Sequence, residues 1–247
     1  MNNISVIIQA RMNSNRLPGK VLRKIDNKPI IEFLINRINK SELIDNIIVA
    51  TSNNLEDNQI VDQCKRMKIN YFRGSENNVL SRYYEASIKF NLKSIVRICA
   101  DSPFIDHIIL DKMISNFFDK SSSYDYLSNT LNQTYPVGMN IEIFTHSSLE
   151  QAFLNSNQKY QLEHVTPYIY ENPNLFNLGQ EHLSEDYSSI RITLDEEDDY
   201  ILINKIFENI KIKKIEFGLK EIIELYNSNP NLFKLNSHIK QKLIDSI

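Results

Sequence analysis

The residues best suited to chemistry gather at positions 9–20, QARMNSNRLPGK, directly after an apolar run at 4–8. Arg11, Arg16 and Lys20 put three cations within ten residues, among small polar side chains and Gly19. A buried strand ending in such a loop can surround one concavity with backbone N–H groups, the Ser14 hydroxyl and the three cations, a setting that holds anionic oxygens by charge-assisted hydrogen bonds. The Arg fork suits non-reacting phosphates, whereas the compact Lys ammonium suits an oxygen whose charge grows during reaction. The spacing fits neither the phosphate-binding loop with Gly-Lys-Ser/Thr nor the dinucleotide G-x-G-x-x-G. On composition alone the loop reads as a solvated basic segment, so a polyphosphate cradle needs further support.

A second chemical position is Asp101, which follows the apolar run 95–99 and precedes Ser102-Pro103. A carboxylate at the carboxyl end of a central strand is well placed to hold a divalent metal. The alternative is an Asp that caps a helix starting near 105.

The elements that must position these groups are legible as alternating strands and helices. Strands are expected at 4–8, 46–51, 69–72 and 95–99, short apolar runs of the kind buried on both faces of a parallel sheet. Helices are expected at 30–38 behind Pro29, at 55–67 and at 79–90, with a turn at Asp26-Asn27-Lys28 where Asn27 can adopt left-handed geometry. The alternation predicts an α/β fold with a doubly wound, mostly parallel sheet and ligands at the strands' carboxyl ends. From residue 124 the texture changes. Strands at 124–127, 139–144 and 175–178, a turn at 135–138, a helix at 146–155 and a helical stretch at 161–170 interrupted by Pro167 read as an inserted α+β lobe, about 124–185, closing over the sheet of a single domain. The segment 191–195 is expected to return to the main sheet, followed by a helix at 198–210 and helical patches in 219–247.

The string IIQARMNSNRLPGKVL closely resembles the opening motif of the spore-coat-polysaccharide-type cytidylyltransferases, relatives of the 3-deoxy-manno-octulosonate and acylneuraminate cytidylyltransferases. The likeness recurs in order at VATS (49–52), RGSENNVLSRYYEA (73–86), VRICADSPFID (96–106), EHVTPYI (163–169) and RITLDEEDD (191–199), and thins after about residue 200. It implies a nucleotide-diphospho-sugar transferase-like, glycosyltransferase-A-like fold and transfer of CMP from CTP to an acidic sugar or similar acid, with release of pyrophosphate, for surface polysaccharide synthesis. It implies that Gln9, Ala10, Arg11, Ser14, Arg16, Lys20, Arg73 and Ala100 bind nucleotide, with Lys20, Arg11 and Arg16 catalytic. Asp101 and Asp195 would hold Mg²⁺, and Glu142, Glu163 and His164 would meet the acceptor. His164 can equally be a structural hydrogen-bonding residue, and Arg73 and Arg82 can be surface cations. The resemblance also implies a homodimer formed through the inserted lobe. Asn13, Asn78, Ser81 and Asn140 depart from the family pattern; Asn13 stands where Gly is usual, and Asn tolerates positive φ. A nucleotidyltransferase with another base or acceptor, and a non-catalytic nucleotide binder of the same fold, remain open at this point.

Composition sets further bounds. A net charge of −3 over 247 residues gives no global basic field, which disfavours nucleic acid as a partner. Cys64 and Cys99 lie far apart in apolar patterns and read as reduced core thiols of a cytoplasmic protein rather than a disulfide. No apolar run approaches the roughly 18 residues that a membrane span requires.

Overall fold

The structure, a computed structural model, describes residues 3–213 and 217–241. In chain order the strands and helices are β1 (Ile4–Gln9), β2 (Lys24–Ile25), β3 (Lys28–Pro29), α1 (Ile30–Ile38), β4 (Asn46–Ser52), α2 (Asn58–Met67), β5 (Asn70–Gly74), α3 (Val79–Lys89), β6 (Ser94–Cys99) and α4 (His107–Phe117). They continue with β7 (Tyr126–Ser128), β8 (Glu142–Thr145), α5 (His146–Asn155), α6 (Lys159–His164), α7 (Pro167–Tyr170), β9 (Leu178–Gln180), α8 (Glu197–Lys213) and α9 (Leu219–Ser228).

One seven-stranded sheet runs in the order β5-β4-β1-β6-β8-β7-β9. The first four strands are parallel, β8 is antiparallel to both β6 and β7, and β9 is parallel to β7. The sheet is therefore mostly parallel, as expected. Alternation along β1 divides the core: Ile4, Val6 and Ile8 pack with α1, α4 and α8, while Ile7 packs on the opposite face with Leu80, Tyr83 and Ala86 of α3 and Leu149 and Ala152 of α5. Helix α1 buries Ile30, Ile31, Leu34, Ile35 and Ile38, so truncating its Leu34 to Ala is the kind of change that costs about 2–5 kcal/mol. The turn at 26–27 joins β2 to β3, and both Asp26 (φ 49°) and Asn27 (φ 64°) are left-handed, the requirement of a two-residue hairpin.

Several expectations are corrected. The strands of the 124–185 segment are hydrogen-bonded into the central sheet, and its helices α5 to α7 share a core with α3, so this segment extends the sheet rather than forming a lobe set over it. The expected strand at 139–144 starts only at Glu142, because the Asn129 side chain takes the place of a neighbouring strand: its amide donates to the Met139 carbonyl and its oxygen accepts from the Ile141 N–H, each at 2.8 Å. Residues 191–195 form no strand; Arg191 makes an isolated bridge with Val137. That segment passes so close to Gly138 (φ 106°) that a Cβ there would lie 2.6 Å from the Thr193 nitrogen. The helix at 161–170 is two helices, broken at Val165 and Thr166 ahead of Pro167. Of the patches expected in 219–247, α9 and a 3₁₀ turn at Leu232–Asn236 are seen, and 242–247 lie outside the described residues. No helix among the described residues is long and apolar enough to cross a membrane.

Candidate active site

Strands β1 and β6 are register partners through Gln9 and Cys99, so the loop after β1 and Asp101 after β6 leave the sheet side by side. The Asp101 carbonyl accepts from the Leu194 N–H at 2.9 Å and the Thr193 hydroxyl at 3.2 Å, which draws residues 193–195 across the same edge. Lys20 then joins the two carboxylates: its ammonium donates to Asp101 Oδ2 at 2.6 Å and to Asp195 Oδ1 at 2.8 Å. Arg16 reaches Asp195 Oδ2 and Glu196 Oε1, both at 3.1 Å. Arg191 donates to Asp195 Oδ2 and grips Asp199 with two nitrogens, all at 2.9 Å. Asp199 is fully buried and also accepts the backbone N–H groups of Asp195 and Glu196 at the start of α8. That anchor fixes where Asp195 stands.

The cluster is polarised but not sealed, with side-chain exposures of 12% for Lys20, 23% for Asp101 and 14% for Asp195. Burial acts to raise the Asp195 carboxyl, but the Lys20 ammonium, with Arg16 and Arg191, outweighs it and holds the group down at about 2. Burial acts to lower the Lys20 ammonium, and Asp101 and Asp195 outweigh it, leaving it above its usual range. Asp101 Oδ1 accepts no hydrogen bond among the described residues, so this carboxylate keeps capacity for another cation.

The loop itself closes on one carbonyl. Met12 O accepts from the Ser14 N–H at 3.0 Å and from the Gly19 N–H at 2.9 Å, with Gly19 at φ 69° where a side chain would be strained. The Met12 N–H donates to Asp57 Oδ1 at 2.7 Å, while Asp57 Oδ2 accepts from the Thr51 hydroxyl and from the Ser52 N–H and hydroxyl. Asp57, 1% exposed, thus ties the loop to the end of β4.

The expected residues divide into those brought together and those otherwise engaged. Arg16, Lys20, Asp101 and Asp195 form one cluster. Arg11 is half-buried and its guanidinium has no hydrogen bond or ion pair among the described residues, and Ser14 leaves its hydroxyl equally unengaged. Gln9 Oε1 accepts from Arg97 Nε at 3.2 Å. Ala10 and Ala100 are buried, and their N–H groups serve the sheet by donating to Ala50 O and Gln9 O, so a nucleotide would not meet those donors. Arg73 donates to the Ser52 and Asn54 carbonyls and to Asn58 Oδ1, bracing the β4–α2 connection. Arg82 is no surface cation: it is 2% exposed, donates to Ser75 O, and leaves its Nε without a partner among the described residues. Glu142 is buried and saturated, paired with Arg97 and accepting from Tyr126 and Thr166 hydroxyls. Glu163 and His164 are half-buried, and His164 Nε2 is enclosed without a partner among the described residues. The helix cap competing for Asp101 belongs instead to Asp106, which accepts from the Ile108 N–H at 2.9 Å at the start of α4. Asn13 is not at positive φ; its amide donates to Glu76 across the loop mouth.

Sequence reasoning missed Asp57, Arg97, Arg191 and Asp199 as organisers. Asp57 directly precedes α2 and Asp199 lies in the first turn of α8, places where a carboxylate accepting backbone N–H groups is to be looked for. Cys64 and Cys99 are both free, and burial pushes their thiols up to about 11 and about 12; Cys99 is half-buried rather than core.

A family model described as Cytidylyltransferase matches residues 5–242. The chain belongs to the cytidylyltransferase family. This cytidylyltransferase is 32% identical over 238 residues to the spore coat polysaccharide biosynthesis protein SpsF of Bacillus subtilis, covering 94% of this chain and 97% of that one. It is 26% identical over 171 residues to the 3-deoxy-manno-octulosonate cytidylyltransferase of Lawsonia intracellularis, covering 67% and 63%. Its fold matches a solved cytidylyltransferase of Leptospira borgpetersenii with a TM-score of 0.89 at 30% identity, over 98% of this chain and 99% of that one. The cytidylyltransferase is accordingly a CTP-dependent nucleotidyltransferase with the α/β fold of its family, which leaves the acceptor and the roles of individual residues to be assigned.

Proposed function

We propose that this cytidylyltransferase moves CMP from CTP to an oxygen of an acidic sugar or similar acid and releases pyrophosphate, for surface glycan synthesis. The observation that carries the reading is the convergence of Lys20, Asp101 and Asp195 on one point beside Arg16, at the shared edge of β1 and β6. The acceptor oxygen attacks the α-phosphorus in line, the bond from that phosphorus to the bridging oxygen breaks, and the electron pair leaves with pyrophosphate. The protein's part is positioning and charge stabilisation. Arg11 and Arg16 hold the non-reacting phosphates, with Ser14 and Gln9 beside them, and Lys20 meets the charge that grows on the reacting group. Arg16 and Lys20 are paired with Asp195, Glu196 and Asp101, so binding CTP would be an exchange of anionic partners.

Two carboxylate oxygens already share one cation at 2.6 and 2.8 Å, and Asp101 keeps an open oxygen, a donor set that suits Mg²⁺ completed by water and phosphate oxygens. Asp101 and Asp195 would hold the metal, which when bound neutralises phosphate charge. His164 and Glu163 meet the acceptor; the acidic class rests on the likeness to the octulosonate enzymes. Glu142, being saturated, acts behind that contact. A homodimer is part of the same reading, supported by the sheet edge at β9 and the exposed Leu154 and Leu175; light scattering that gives a monomer at micromolar concentration removes it.

The test is a pyrophosphate-release screen with CTP, UTP, ATP and GTP and a panel of sugar acids in Mg²⁺. Turnover with CTP and one sugar acid is expected. Turnover only with neutral or phosphorylated sugars would overturn the acceptor class.

A further inference from the structure

The turn that carries His164 is strained in a way its own backbone does not repay. Val165 sits at φ 74°, ψ −54°, and the Thr166 N–H closes onto the His164 carbonyl at 2.9 Å. This is a γ-turn of the rarer hand, and it is occupied by a β-branched residue for which positive φ is an outlier. Such a conformation persists where its surroundings over-determine it, and these places cluster at functional sites. Two things pin this one. The Val165 side chain is fully buried in the core beneath α3 and α5. The Thr166 hydroxyl, also buried, donates to Glu142 Oε1 at 2.6 Å.

Glu142 is a firm anchor for that bond. The Tyr126 hydroxyl donates to the same oxygen at 2.7 Å, and the Arg97 guanidinium holds the other. Arg97 Nε reaches Gln9 at the end of β1, so the turn and the strand that launches the phosphate loop share one carboxylate. Immediately before the turn, His164 Nε2 lies buried without a partner among the described residues. A buried polar atom of this kind calls for an explanation, and a ligand oxygen is one.

We propose that Glu142 is a positioning residue: through Thr166 it latches the strained 164–166 turn and so presents the His164 imidazole to an oxygen of the acid acceptor. This rests on the reading of His164 as an acceptor contact. Burial, reinforced by Arg97, pushes the imidazole below its usual range, which favours the neutral ring that can donate from Nε2 to a carboxylate or hydroxyl oxygen.

The test compares Thr166→Val, which removes the hydroxyl, with Thr166→Ser, which keeps it, and with Tyr126→Phe, which removes the other hydroxyl on the same Glu142 oxygen. Two quantities are read. One is the His164 ring signal in ¹⁵N-histidine NMR of the full chain, assigned by its loss in His164→Gln. The other is the KM for the sugar acid that supports turnover, beside the KM for CTP. Thr166→Val should move the His164 signal and raise the acceptor KM about tenfold or more, since misplacing a substrate contact by about 1 Å can cost on the order of 10²-fold. Its KM for CTP should stay within about twofold, the pattern of a contact made to one substrate only. Thr166→Ser should match wild type in both, and Tyr126→Phe, which takes one support from Glu142 but leaves the Thr166 bond in place, should move both less than Thr166→Val does. An unmoved His164 signal in Thr166→Val, or an equal effect of Tyr126→Phe, overturns the latch. If Thr166→Val does not fold, Thr166→Ala makes the same test with a smaller side chain. If wild type turns over no sugar acid, the acceptor reading fails, and the His164 signal alone decides the latch.

Discussion

Two carboxylate-centred regions are tied to β6, one through Asp101 just beyond its end and one through Arg97 within it, and they are built on opposite terms. Around Lys20, the carboxylates of Asp101 and Asp195 are partly exposed, bound by cations from distant segments, and one oxygen of Asp101 is open. Around Glu142, the carboxylate is buried and fully engaged by Arg97, Tyr126 and Thr166. Ion pairs near solvent exchange partners cheaply, whereas a saturated buried carboxylate loses heavily if one donor leaves. The first region is therefore suited to receive an anionic substrate and a metal, and the second to hold a shape.

The largest effect is expected at Lys20. If its ammonium meets charge that develops only in the transition state, Lys20→Ala should lower turnover by about 10²-fold or more while CTP affinity changes much less. Single-turnover kinetics beside CTP titration checks this, and equal losses in both would make Lys20 an ordinary phosphate contact. Next is Asp57, which shares the buried, saturated character of Glu142 but lies under the loop that follows β1. Asp57→Asn places an amide N–H₂ against either the Met12 N–H or the Thr51 and Ser52 donors, and should cost about 1–3 kcal/mol. A fall in Tm together with a raised KM for CTP is the expected pair of readings.

The acid limb of stability sharpens the contrast further. Because the folded Asp195 carboxyl is depressed to about 2 from 3.8, its pairing is fully present above the unfolded value and is lost as pH falls through the folded one. Wild type should lose stability between about pH 4 and pH 2, and Asp195→Asn should flatten that part of the curve in thermal melts. The smallest effect is expected at Asn13. It is exposed, has ordinary φ, and donates one bond to Glu76; Asn13→Gly should change stability by no more than about 0.5 kcal/mol.

Much of the fold was legible because periodicity and turn chemistry are local. The strands at 46–52 and 94–99, the start of α1 behind Pro29 and the hairpin at Asp26-Asn27 all follow from neighbours in sequence. What escaped depends on partners far along the chain. Nothing near residue 139 announces that the Asn129 side chain will replace a strand there. Two Asp residues stand before α4: Asp106, directly ahead of His107, caps it, and Asp101 meets Lys20, 81 positions away. Arg73 and Glu142 have residue types that suit ligand contacts, and only the folded chain shows that their hydrogen-bonding capacity is taken up by Ser52, Asn54 and Asn58 in one case and by Arg97, Tyr126 and Thr166 in the other. The motif at 9–20 brings Arg11, Arg16 and Lys20 into one segment, and the acidic residues Asp195 and Glu196 that pair with Arg16 and Lys20 became readable only through those ion pairs.

The central claim is that Asp101 and Asp195 together hold the metal that serves CTP beside Lys20. It is tested most directly by titrating Mg²⁺ into the pyrophosphate-release reaction of wild type, Asp101→Asn, Asp195→Asn and the double variant, with Tm measured on each. Each single variant should need markedly more Mg²⁺ to reach half its maximal rate, and the double variant should be little worse than either, because two carboxylates sharing one ion act as a unit. An Asp101→Asn enzyme with a lowered Tm and an unchanged Mg²⁺ curve would contradict the account.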